Sequence, residues 1–345
     1  MKYKVTIGIP VFNVERYIRH VMESALKQTF QNIEFLICDD CGTDTSMDIV
    51  REYQDNHPRG KDIRIVRQPQ NMGIGEARNR IIREAQGDYL YFLDADDIIS
   101  SNAIELLYTY AKKYDAEAVY GSYQRIEEFD GHVSKTDVRY PNVQFMKEYE
   151  FADRVYSEYG FLQGTTWNIL FCLDLFRKHQ LCYKSISYLE DYTFTISLPV
   201  YINRVVLLSD VTYFYYCRAG SLSNYQQRTS IRKSEIITTI QAIREVKSDF
   251  SRIRERPFFS KWTYKVMMTC FYIVCSILRN DKIITPSFTK REIRDVLCPF
   301  LTLSEVLELK EWKIKNLALY ILGVLPPTLS LAIIKKIGVW KGLVS

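Results

Sequence analysis

The sequence has little of what several classes of protein depend on. Its 14 glycines and 10 prolines in 345 residues are too few for a fibrous or low-complexity chain, and a hydrophobic content of 47% excludes intrinsic disorder. Eight cysteines are too sparse in a chain of this length for a disulfide scaffold. The first residues alternate apolar and polar side chains, unlike the continuous apolar run of a secretory signal. We therefore expect a folded protein of about two domains in a reducing, cytoplasmic compartment.

Several catalytic and metal-binding motifs are also absent. The four histidines lack the spacing of metal ligands, and no GxxxxGK(S/T) loop marks a P-loop phosphotransferase. Cys38 and Cys41 form a CxxC pair, which in isolation suggests redox chemistry or half of a zinc site. Because no second pair follows, we expect neither role.

The net charge of +5 conceals a contrast between the two ends of the chain. Up to Tyr225 there are 25 Lys and Arg residues against 31 Asp and Glu residues, and the remainder has 21 against 10. An acidic front and a basic tail indicate two different partners, a cation for the front and an anionic surface for the tail. No recognisable nucleic-acid-binding motif accompanies the basic tail, so we predict no nucleic-acid partner.

The first hundred residues alternate between the periodicities of strands and helices. The predicted strands cover residues 3–9, 33–38, 63–66 and 89–93, and the predicted helices cover 14–26, 47–53 and 74–85. Asn13 has the residue type of an N-cap for the first helix. Strands that alternate with helices in this way form a largely parallel sheet with right-handed crossovers. Beyond residue 228 the pattern is helical, most clearly over 231–246 and 258–278.

Aspartates follow two of the predicted strands, at the points where ligands bind in open parallel sheets. Asp39 and Asp40 follow the second strand, and Asp94, Asp96 and Asp97 follow the fourth. Such a cluster repels itself unless a cation is present, and hard oxygen ligands favour Mg²⁺ or Mn²⁺. The D-x-D spacing of Asp94 and Asp96 suits a cation that a diphosphate also coordinates. The alternative is that these are turn and N-cap aspartates.

Several segments, in order along the first 200 residues, together resemble glycosyltransferase family 2. They are IPVFNVERYI (9–18) with QTFQNIEFLICDDCGTDTS (28–46), NMGIGEARN (71–79) before GDYLYFLDADD (87–97), and LEDYTF (189–194). The resemblance implies an inverting, nucleotide-sugar-dependent enzyme of the GT-A fold, as in bacterial polysaccharide synthesis. That fold is α/β and Rossmann-like, with a mostly parallel sheet flanked by helices, here followed by a C-terminal helical region.

The same resemblance divides the chain into three parts. Residues 1–100 would form the nucleotide-sugar-binding half of the GT-A domain, and residues 101–225 would form its acceptor-binding half. Residues 226–345 would form a helical basic region that contacts the membrane.

The resemblance also implies a site for a UDP-sugar and a divalent cation, Mn²⁺ or Mg²⁺. Pro10, Phe12 and Glu15 would border the nucleobase. Asp39 and Asp40 would bind the donor, with Asp40 accepting a hydrogen bond from the uracil imide. A carboxylate in a fixed position recognises an imide N–H well.

The remaining donor and metal residues follow the next two motifs. Asp96 would ligate the metal, and Asp94 would contact the ribose or sugar beside it. Arg78 would contact the donor, and its alternative is an exposed helix charge. Arg218, in the segment Arg218-Ala219-Gly220-Ser221, would approach the diphosphate, and its alternative is a solvated loop residue.

The family places the general base of an inverting transfer in an E-D pair that matches Glu190 and Asp191. Such a base removes the proton from the acceptor hydroxyl on the face opposite the leaving group. Asp191 would be the base, and Glu190 would support it or touch the acceptor. The alternative, that the pair caps a helix beginning near Tyr192, is compatible with catalysis because a helix N-terminus suits a carboxylate.

Two departures from the family pattern concern a turn and the acceptor side. Many relatives have a Gly-Ser pair where this chain has Cys41-Gly42-Thr43, which changes the turn after the aspartates. Relatives often have a Lys after the Asn in the segment that matches Trp167-Asn168-Ile169, so the handling of the acceptor is open. Trp167 could stack on a sugar face or belong to the core.

The C-terminal tail contains 19 consecutive uncharged residues, 316–334, flanked by lysines. A spanning helix needs about 20 apolar residues, and Pro326-Pro327 would interrupt this one in its middle. We therefore expect two short amphipathic pieces that lie in the membrane interface with lysines near anionic lipid. The alternative is a pair of helices packed on the globular domain.

Together these patterns predict a metal-dependent inverting glycosyltransferase at the inner face of the cell membrane. It would transfer a sugar from a UDP-sugar to a hydroxyl of a glycan or lipid-linked glycan. One alternative is a sugar-phosphate nucleotidyltransferase, which would need a Gly-rich phosphate loop where Pro10 to Asn13 lie. The other is a catalytically inactive partner protein, which would be expected to have lost one of Asp40, Asp96 or Asp191.

Overall fold

The computed structural model describes residues 3–129, 132–158, 162–186, 190–217, 229–248 and 250–344. The chain divides into two compact units, which we call the sheet unit and the helical unit. The sheet unit comprises Met1–Phe151, Gly164–Ser185 and Tyr201–Gln227. The helical unit comprises Ala152–Gln163, Ile186–Val200 and Arg228–Ser345.

The first elements of the sheet unit alternate between strand and helix. They are β1 (Tyr3–Val11), α1 (Ile18–Leu26), β2 (Ile33–Asp39), α2 (Ser46–Asn56), β3 (Ile63–Arg67), α3 (Ile74–Glu84) and β4 (Gly87–Phe92). The first helix was expected over residues 14–26, but α1 begins at Ile18. The predicted N-cap at Asn13 is wrong, because Asn13 adopts a positive φ of 51° and its Oδ1 accepts from Thr43 N instead, at 2.7 Å.

The middle of the chain adds shorter elements and two long strands. They are β5 (Ile98–Ile99), α4 (Ala103–Tyr114), β6 (Ala118–Phe129), β7 (His132–Val138), β8 (Val143–Phe145), α5 (Glu150–Ser157), β9 (Ile169–Cys172), α6 (Leu173–His179), α7 (Glu190–Ser197) and β10 (Val205–Cys217). The turn predicted at Asp130-Gly131 lies outside the described residues.

A mixed sheet organises the sheet unit. Its strand order along the described residues is β3-β2-β1-β4-β9-β6-β10-β5, with β7 paired to β6 and β8 to β10. The pairs β1·β2, β1·β4, β2·β3 and β6·β10 are parallel, whereas β9 is antiparallel to both β4 and β6. The predicted α/β fold is confirmed, and the parallel pairing predicted for the first four strands is the pairing found.

The register of the parallel strands brings their carboxyl ends to one edge. Val11 lies opposite Asp39, Asp39 lies opposite Arg67, and Gly8 lies opposite Phe92. The residues that directly follow β2 and β4 are therefore neighbours at the same edge. We call this the acidic edge, because Asp39, Asp40, Asp94, Asp96 and Asp97 lie there.

Close packing of α3 on β1 depends on Gly8. A Cβ atom at Gly8 would lie 2.4 Å from Cγ2 of Ile81, well inside van der Waals contact. Both faces of β1 and β2 are buried, as expected for a parallel sheet covered by helices. The small residue thus sets how closely α3, and the arginine that it carries, approaches the sheet.

A buried carboxylate joins the strands at the opposite end of the sheet from the acidic edge. Glu34 on β2 is buried and accepts from Thr6 Oγ1 at 2.6 Å, from Gln86 N at 2.8 Å and from Arg64 Nε at 2.8 Å. Thr6 Oγ1 in turn accepts from Gly87 N at 2.9 Å. These hydrogen bonds tie β1, β2, β3 and the start of β4 together. Glu34 needs such partners, because burying a polar group without hydrogen bonds is costly.

The helical unit is built around one long helix. Its elements beyond residue 228 are β11 (Ile231–Arg232), α8 (Lys233–Ser248), α9 (Phe250–Ile253), α10 (Phe259–Arg279), β12 (Ile284–Thr285), α11 (Lys290–Asp295), α12 (Leu303–Glu308), α13 (Lys313–Val324) and α14 (Pro327–Trp340). Helices α8, α11, α13 and α14 all contact α10. Along the described residues, no helix is both long enough and apolar enough to cross a bilayer.

The Glu34 network generates a stability prediction. Replacing Glu34 with alanine removes the shared acceptor of three donors, so we expect the free energy of unfolding of the sheet unit to fall by about 2 kcal/mol. Urea unfolding followed by circular dichroism measures the change. The matched control is Glu52→Ala, which removes an exposed partner of Arg19 and should leave the urea midpoint in place. Equal midpoints for the two variants would contradict a structural role for the network.

Candidate active site

The acidic edge carries an aspartate-rich turn after β4. Asp97 N donates to Asp94 O at 3.2 Å and closes the turn. Asp94 and Asp96 are half-buried, whereas Asp97 is buried. The structure therefore brings the predicted donor and metal residues Asp94 and Asp96 together in one short turn, at the same edge of the sheet as Asp39 and Asp40, with β1 between β4 and β2.

A buried arginine pairs with the first aspartate of this turn. Arg78 on α3 is 1% exposed, and its Nη2 lies 2.9 Å from Asp94 Oδ1. Its guanidinium also lies over the ring of Tyr183, 5.5 Å from the ring centroid. The alternative of an exposed helix charge is excluded by this burial.

The residue next to Arg78 fixes a more distant part of the sheet unit. Asn79 Oδ1 accepts from Tyr183 N at 2.7 Å, and Asn79 Nδ2 donates to Tyr183 O at 3.0 Å. Glu76, one turn earlier on α3, accepts from the hydroxyl of Ser185. Helix α3 therefore holds both the acidic turn and the segment 183–185, a link that the sequence did not reveal.

Asp97, the third aspartate of the turn, has a role that sequence reasoning missed. Its Oδ2 accepts from the hydroxyl of Tyr213 at 2.7 Å, and its Oδ1 accepts from Tyr216 N at 2.8 Å. Burial raises the pKa of Asp97 well above its usual range, and the nearby charges of Asp96 and Asp94 add to the shift. Asp94 N also donates to the Tyr213 hydroxyl, at 3.4 Å. One tyrosine on β10 thus fastens both ends of the acidic turn.

Tyr213 is itself held by aromatic stacking. The ring of Trp167 stacks on Tyr213 at 4.5 Å between centroids and on Tyr215 at 5.4 Å. Tyr123 meets Trp167 edge-on at 4.9 Å. Trp167 is buried, so of the two roles considered for it the structure places it in the core.

Asn168, which follows Trp167, is a structural residue. It is fully buried and has a positive φ of 59°. Its Oδ1 accepts from the hydroxyls of Tyr91 and Thr212, and its Nδ2 donates to Gly121 O and Ser122 O. Its amide therefore ties β4, β6 and β10 together.

Asp39 and Asp40 organise the loops at the edge of the sheet. Asp40 Oδ1 accepts from Met72 N at 2.8 Å and its Oδ2 accepts from Gly73 N at 2.9 Å. Burial raises the pKa of the Asp40 carboxyl, while these two N–H groups oppose the shift. Asp39 Oδ1 accepts from Cys41 N at 2.9 Å, which stabilises the positive φ of 59° at Cys41.

The residues predicted to border the nucleobase differ in exposure and contacts. Phe12 is 42% exposed directly after β1, whereas Pro10 is buried within β1. Glu15 uses its Oε2 to accept from the amide and the hydroxyl of Thr45, at 3.2 and 3.0 Å, and its N donates to Asp44 Oδ2 at 2.9 Å. Glu15 thus links the loops that follow β1 and β2.

The oxygen ligands at the acidic edge fit a hard divalent cation that needs further ligands. Asp94 and Asp96 offer carboxylate oxygens, the donor type that Mg²⁺ and Mn²⁺ prefer. Within the described ranges, no group of three or more His, Cys, Asp or Glu residues is arranged to hold a metal ion. One or two carboxylates completed by substrate phosphates is the usual arrangement for Mg²⁺ in phosphate-binding enzymes.

The predicted base lies at the start of a helix in the helical unit. Glu190 and Asp191 form the first turn of α7 and are both half-buried. The next residue, Tyr192, shares a hydrogen bond of 2.8 Å with Thr269 Oγ1 on α10, which anchors this helix. Arg218, the remaining predicted donor residue, lies outside the described residues.

Comparison with known families identifies the N-terminal half of the chain. Residues 6–174 match the family described as glycosyl transferase family 2. Glycosyltransferase GlyG of Streptococcus pneumoniae is 29% identical over 64% of this chain and 73% of its own length. The cholesterol galactosyltransferase of Borreliella burgdorferi is 25% identical over 90% of this chain and 87% of its own length.

Solved structures share the fold. The crystal structure of S. aureus TarS 1-349 superposes with a TM-score of 0.65 at 15% identity, and covers 93% of this chain and 90% of that one. The same protein in complex with UDP-GlcNAc superposes with a TM-score of 0.56 at 16% identity, with the same coverage. The likeness extends over the GT-A sheet and the C-terminal helices.

The ion pair between Arg78 and Asp94 generates the second prediction. Arg78→Met keeps an unbranched apolar stem but removes the guanidinium, which leaves a carboxylate in a half-buried site without its cation. We expect the free energy of unfolding to fall by about 3 kcal/mol, measured by urea unfolding. Arg51→Met, which removes an exposed partner of Asp48 on α2, serves as the control and should not move the midpoint. An unchanged midpoint for Arg78→Met would show that the pair does not stabilise the turn.

Proposed function

Since residues 6–174 place the chain in glycosyltransferase family 2, we propose that this glycosyltransferase is inverting and uses a UDP-sugar as its donor. The acceptor is a hydroxyl of a glycan or a lipid-linked glycan. The observation that carries the proposal is the acidic edge, where Arg78 pairs with Asp94 in the turn that also carries Asp96, at the same edge of the sheet as Asp40. A UDP-sugar donor is supported by S. aureus TarS, which shares the fold and has been crystallised with UDP-GlcNAc.

The nucleobase binds between the loops that follow β1 and β2. Phe12 offers an exposed aromatic ring that can stack on uracil. Each oxygen of Asp40 accepts one backbone N–H, and a carboxylate oxygen has two lone pairs. Asp40 can therefore also accept the imide N–H of uracil, and its bonds to Met72 and Gly73 keep it in position for that contact. Pro10, Asp39 and Glu15 shape the loops around this pocket.

Asp96 and Asp94 hold the divalent cation, Mn²⁺ or Mg²⁺. When bound, the ion neutralises the negative charge that develops on the departing diphosphate. Asp94 orients the ribose or sugar, and the ion pair with the guanidinium of Arg78 holds its carboxylate in position. Arg218 contributes a further positive charge toward the diphosphate.

Asp191 acts as the general base. It takes the proton from the acceptor hydroxyl while that oxygen forms a bond to the anomeric carbon, and the bond from this carbon to the diphosphate oxygen breaks. Attack from the face opposite the leaving group inverts the configuration. Glu190 supports the base from the same helical turn.

The names of the relatives bear on the acceptor. The Borreliella relative is a cholesterol galactosyltransferase, and a relative in Bacillus spizizenii, 27% identical over 61% of this chain, is a poly(ribitol-phosphate) beta-glucosyltransferase. These names give a lipid and a polymer as the relatives' acceptors. They support an acceptor that is a polymer or is attached to lipid, as the proposed glycan or lipid-linked glycan is, and it is reached by peripheral contact of the C-terminal helices with the inner face of the cell membrane. No feature of the chain favours the nucleotidyltransferase or the inactive partner over this function.

The donor and metal assignments are tested by thermal shift. UDP with Mn²⁺ should raise the melting temperature more than UDP alone, because Asp94 and Asp96 would hold the ion and the ion would neutralise charge on the diphosphate. Asp96→Asn should remove the metal-dependent part of the rise and retain the remainder. Asp48→Asn, an exposed change on α2, should behave like the wild type. Absence of any response to UDP in the wild type would refute the donor assignment.

The base assignment is tested by separating binding from transfer. Asp191→Asn should retain the thermal response to UDP and Mn²⁺ but lower transfer to the acceptor by about a hundredfold or more, because amides do not accept the hydroxyl proton. UDP release with a panel of nucleotide sugars and acceptors measures transfer. Asp174→Asn, also in the first turn of a short helix, is the matched control. Full turnover by Asp191→Asn would exclude Asp191 as the base.

A further inference from the structure

The last two helices, α13 and α14, carry apolar side chains on their exposed side as well as on their buried side. Inward, α13 packs Leu319 and Leu322 and α14 packs Leu331 and Ile334 against the rest of the helical unit. Asn316 secures α13 through a bond from its Nδ2 to Ser260 O at 2.9 Å on α10. The packed alternative considered for the tail is thus found for one side of these helices.

The outward side of α13 forms an apolar stripe. Ile314, Ala318, Ile321 and Val324 are all exposed and follow one another at helical spacings of four, three and three residues. Ile314 is 83% exposed. From residue 316 to the end of the helix the chain carries no charge. A helix face toward water normally carries polar residues, so this stripe indicates a different environment.

Helix α14 follows after a link of two residues and also exposes apolar side chains. Its large exposed apolar residues are Leu329, Val339 and Trp340, and Trp340 is 82% exposed. Eight of the 13 large hydrophobic side chains that are exposed in the described residues lie between Leu303 and Trp340. Single exposed apolar residues need no explanation, but a cluster of this kind marks an interaction surface. We call Ile314, Ala318, Ile321, Val324, Leu329, Val339 and Trp340 the apolar face.

The charges along the segment 310–341 are almost all positive. Lysines 310 and 313 precede the apolar face, lysines 315, 335 and 336 lie within its span, and Lys341 follows it. The single acidic residue after position 309 is Glu311, which lies 3.2 Å from Lys261 Nζ and is thereby compensated. A tryptophan adjoins lysine at each end, with Lys315 Nζ 3.6 Å from the ring of Trp312 and Lys341 Nζ 5.7 Å from the ring of Trp340.

We propose that the apolar face and its lysines bind the surface of an anionic lipid bilayer, with the apolar side chains in the interface and the ammonium groups among the headgroups. The combination of exposed aliphatic residues, tryptophan and lysine is the composition of interfacial helices. This inference rests on the proposed peripheral contact and assigns it to named side chains. A second copy of the chain is a poorer occupant, because pairing two such faces would oppose their lysines.

The residues of the apolar face are different from those proposed to bind the donor, to hold the metal or to act as the base. Every residue of the apolar face lies in α13 or α14, and none belongs to the acidic edge or to the turn that carries Asp191. Changes to these exposed side chains therefore alter lipid binding without removing a residue of the proposed donor, metal or base sites.

The test is flotation of the full chain with phosphatidylcholine vesicles, with and without about a third of phosphatidylglycerol. The wild type should float with the anionic vesicles and much less with the neutral ones. The double variant Ile314→Glu and Trp340→Glu should lower the bound fraction about fivefold or more. Lys335→Glu with Lys336→Glu should lower it on anionic vesicles and remove the difference between the two compositions. Val133→Glu, at an apolar position on β7 that is 57% exposed, is the control and should float like the wild type.

Two further measurements keep the outcomes distinct. The thermal response to UDP and Mn²⁺ should be the same in the wild type and in all these variants. If the wild type shows no such response, the proposed donor site is wrong, but the proposed membrane surface is unaffected. Equal flotation of the wild type and the Ile314/Trp340 variant would overturn the proposal. So would absence of flotation together with a dimer mass in light scattering that the same variant abolishes, because the apolar face would then serve self-association.

Discussion

The site depends on how the protein accommodates several carboxylates at one edge of a sheet. Parallel pairing of β1, β2 and β4 makes this crowding unavoidable, since the carboxyl ends of the strands coincide there. The buried guanidinium of Arg78 compensates Asp94 at 2.9 Å. The carboxyl of Asp97 differs, because burial and the nearby charges of Asp96 and Asp94 raise its pKa, whereas the hydrogen bond from the Tyr213 hydroxyl opposes that shift. Asp96, half-buried between them, retains access to a ligand.

Helix α3 connects the acidic edge to other parts of the sheet unit. Gly8 allows it to pack closely on β1, its N-terminal loop is held by Asp40 through the N–H groups of Met72 and Gly73, and successive residues Arg78 and Asn79 reach the acidic turn and Tyr183. One helix therefore connects the proposed nucleobase loop with the proposed metal and sugar side. Such coupling positions donor-binding groups before the donor arrives, which lowers the entropic cost of binding.

The uneven distribution of charge acquires a structural meaning in the same way. The acidic residues of the front include those collected at the sheet edge, whereas the basic excess of the tail includes the lysines that flank two helices with an exposed apolar side. The two proposed partners, a cation that binds with the donor diphosphate and an anionic lipid surface, match that distribution of charge. The proposed transfer to a lipid-linked acceptor would use both contacts.

Much of the fold and of the site could be predicted from the sequence, because local periodicity specifies strands and helices, and strand ends in an alternating pattern specify the edge where Asp40, Asp94 and Asp96 meet. The sequence also determined the family through ordered motifs.

Tertiary structure alone decided that Arg78 is buried against Asp94, and that Tyr213 and Trp167 support a turn at least 70 residues before them. It also decided that Asn13 bonds to Thr43 and that α1 begins only at Ile18. Contacts across such separations leave no local signature, since a buried arginine and an exposed one have the same spacing on a helix. The C-terminal tail is a second example. Its sequence allowed either helices packed on the protein or helices in the membrane interface. The tertiary structure buries one side of these helices and exposes the other, so packing and the proposed lipid contact can occur together.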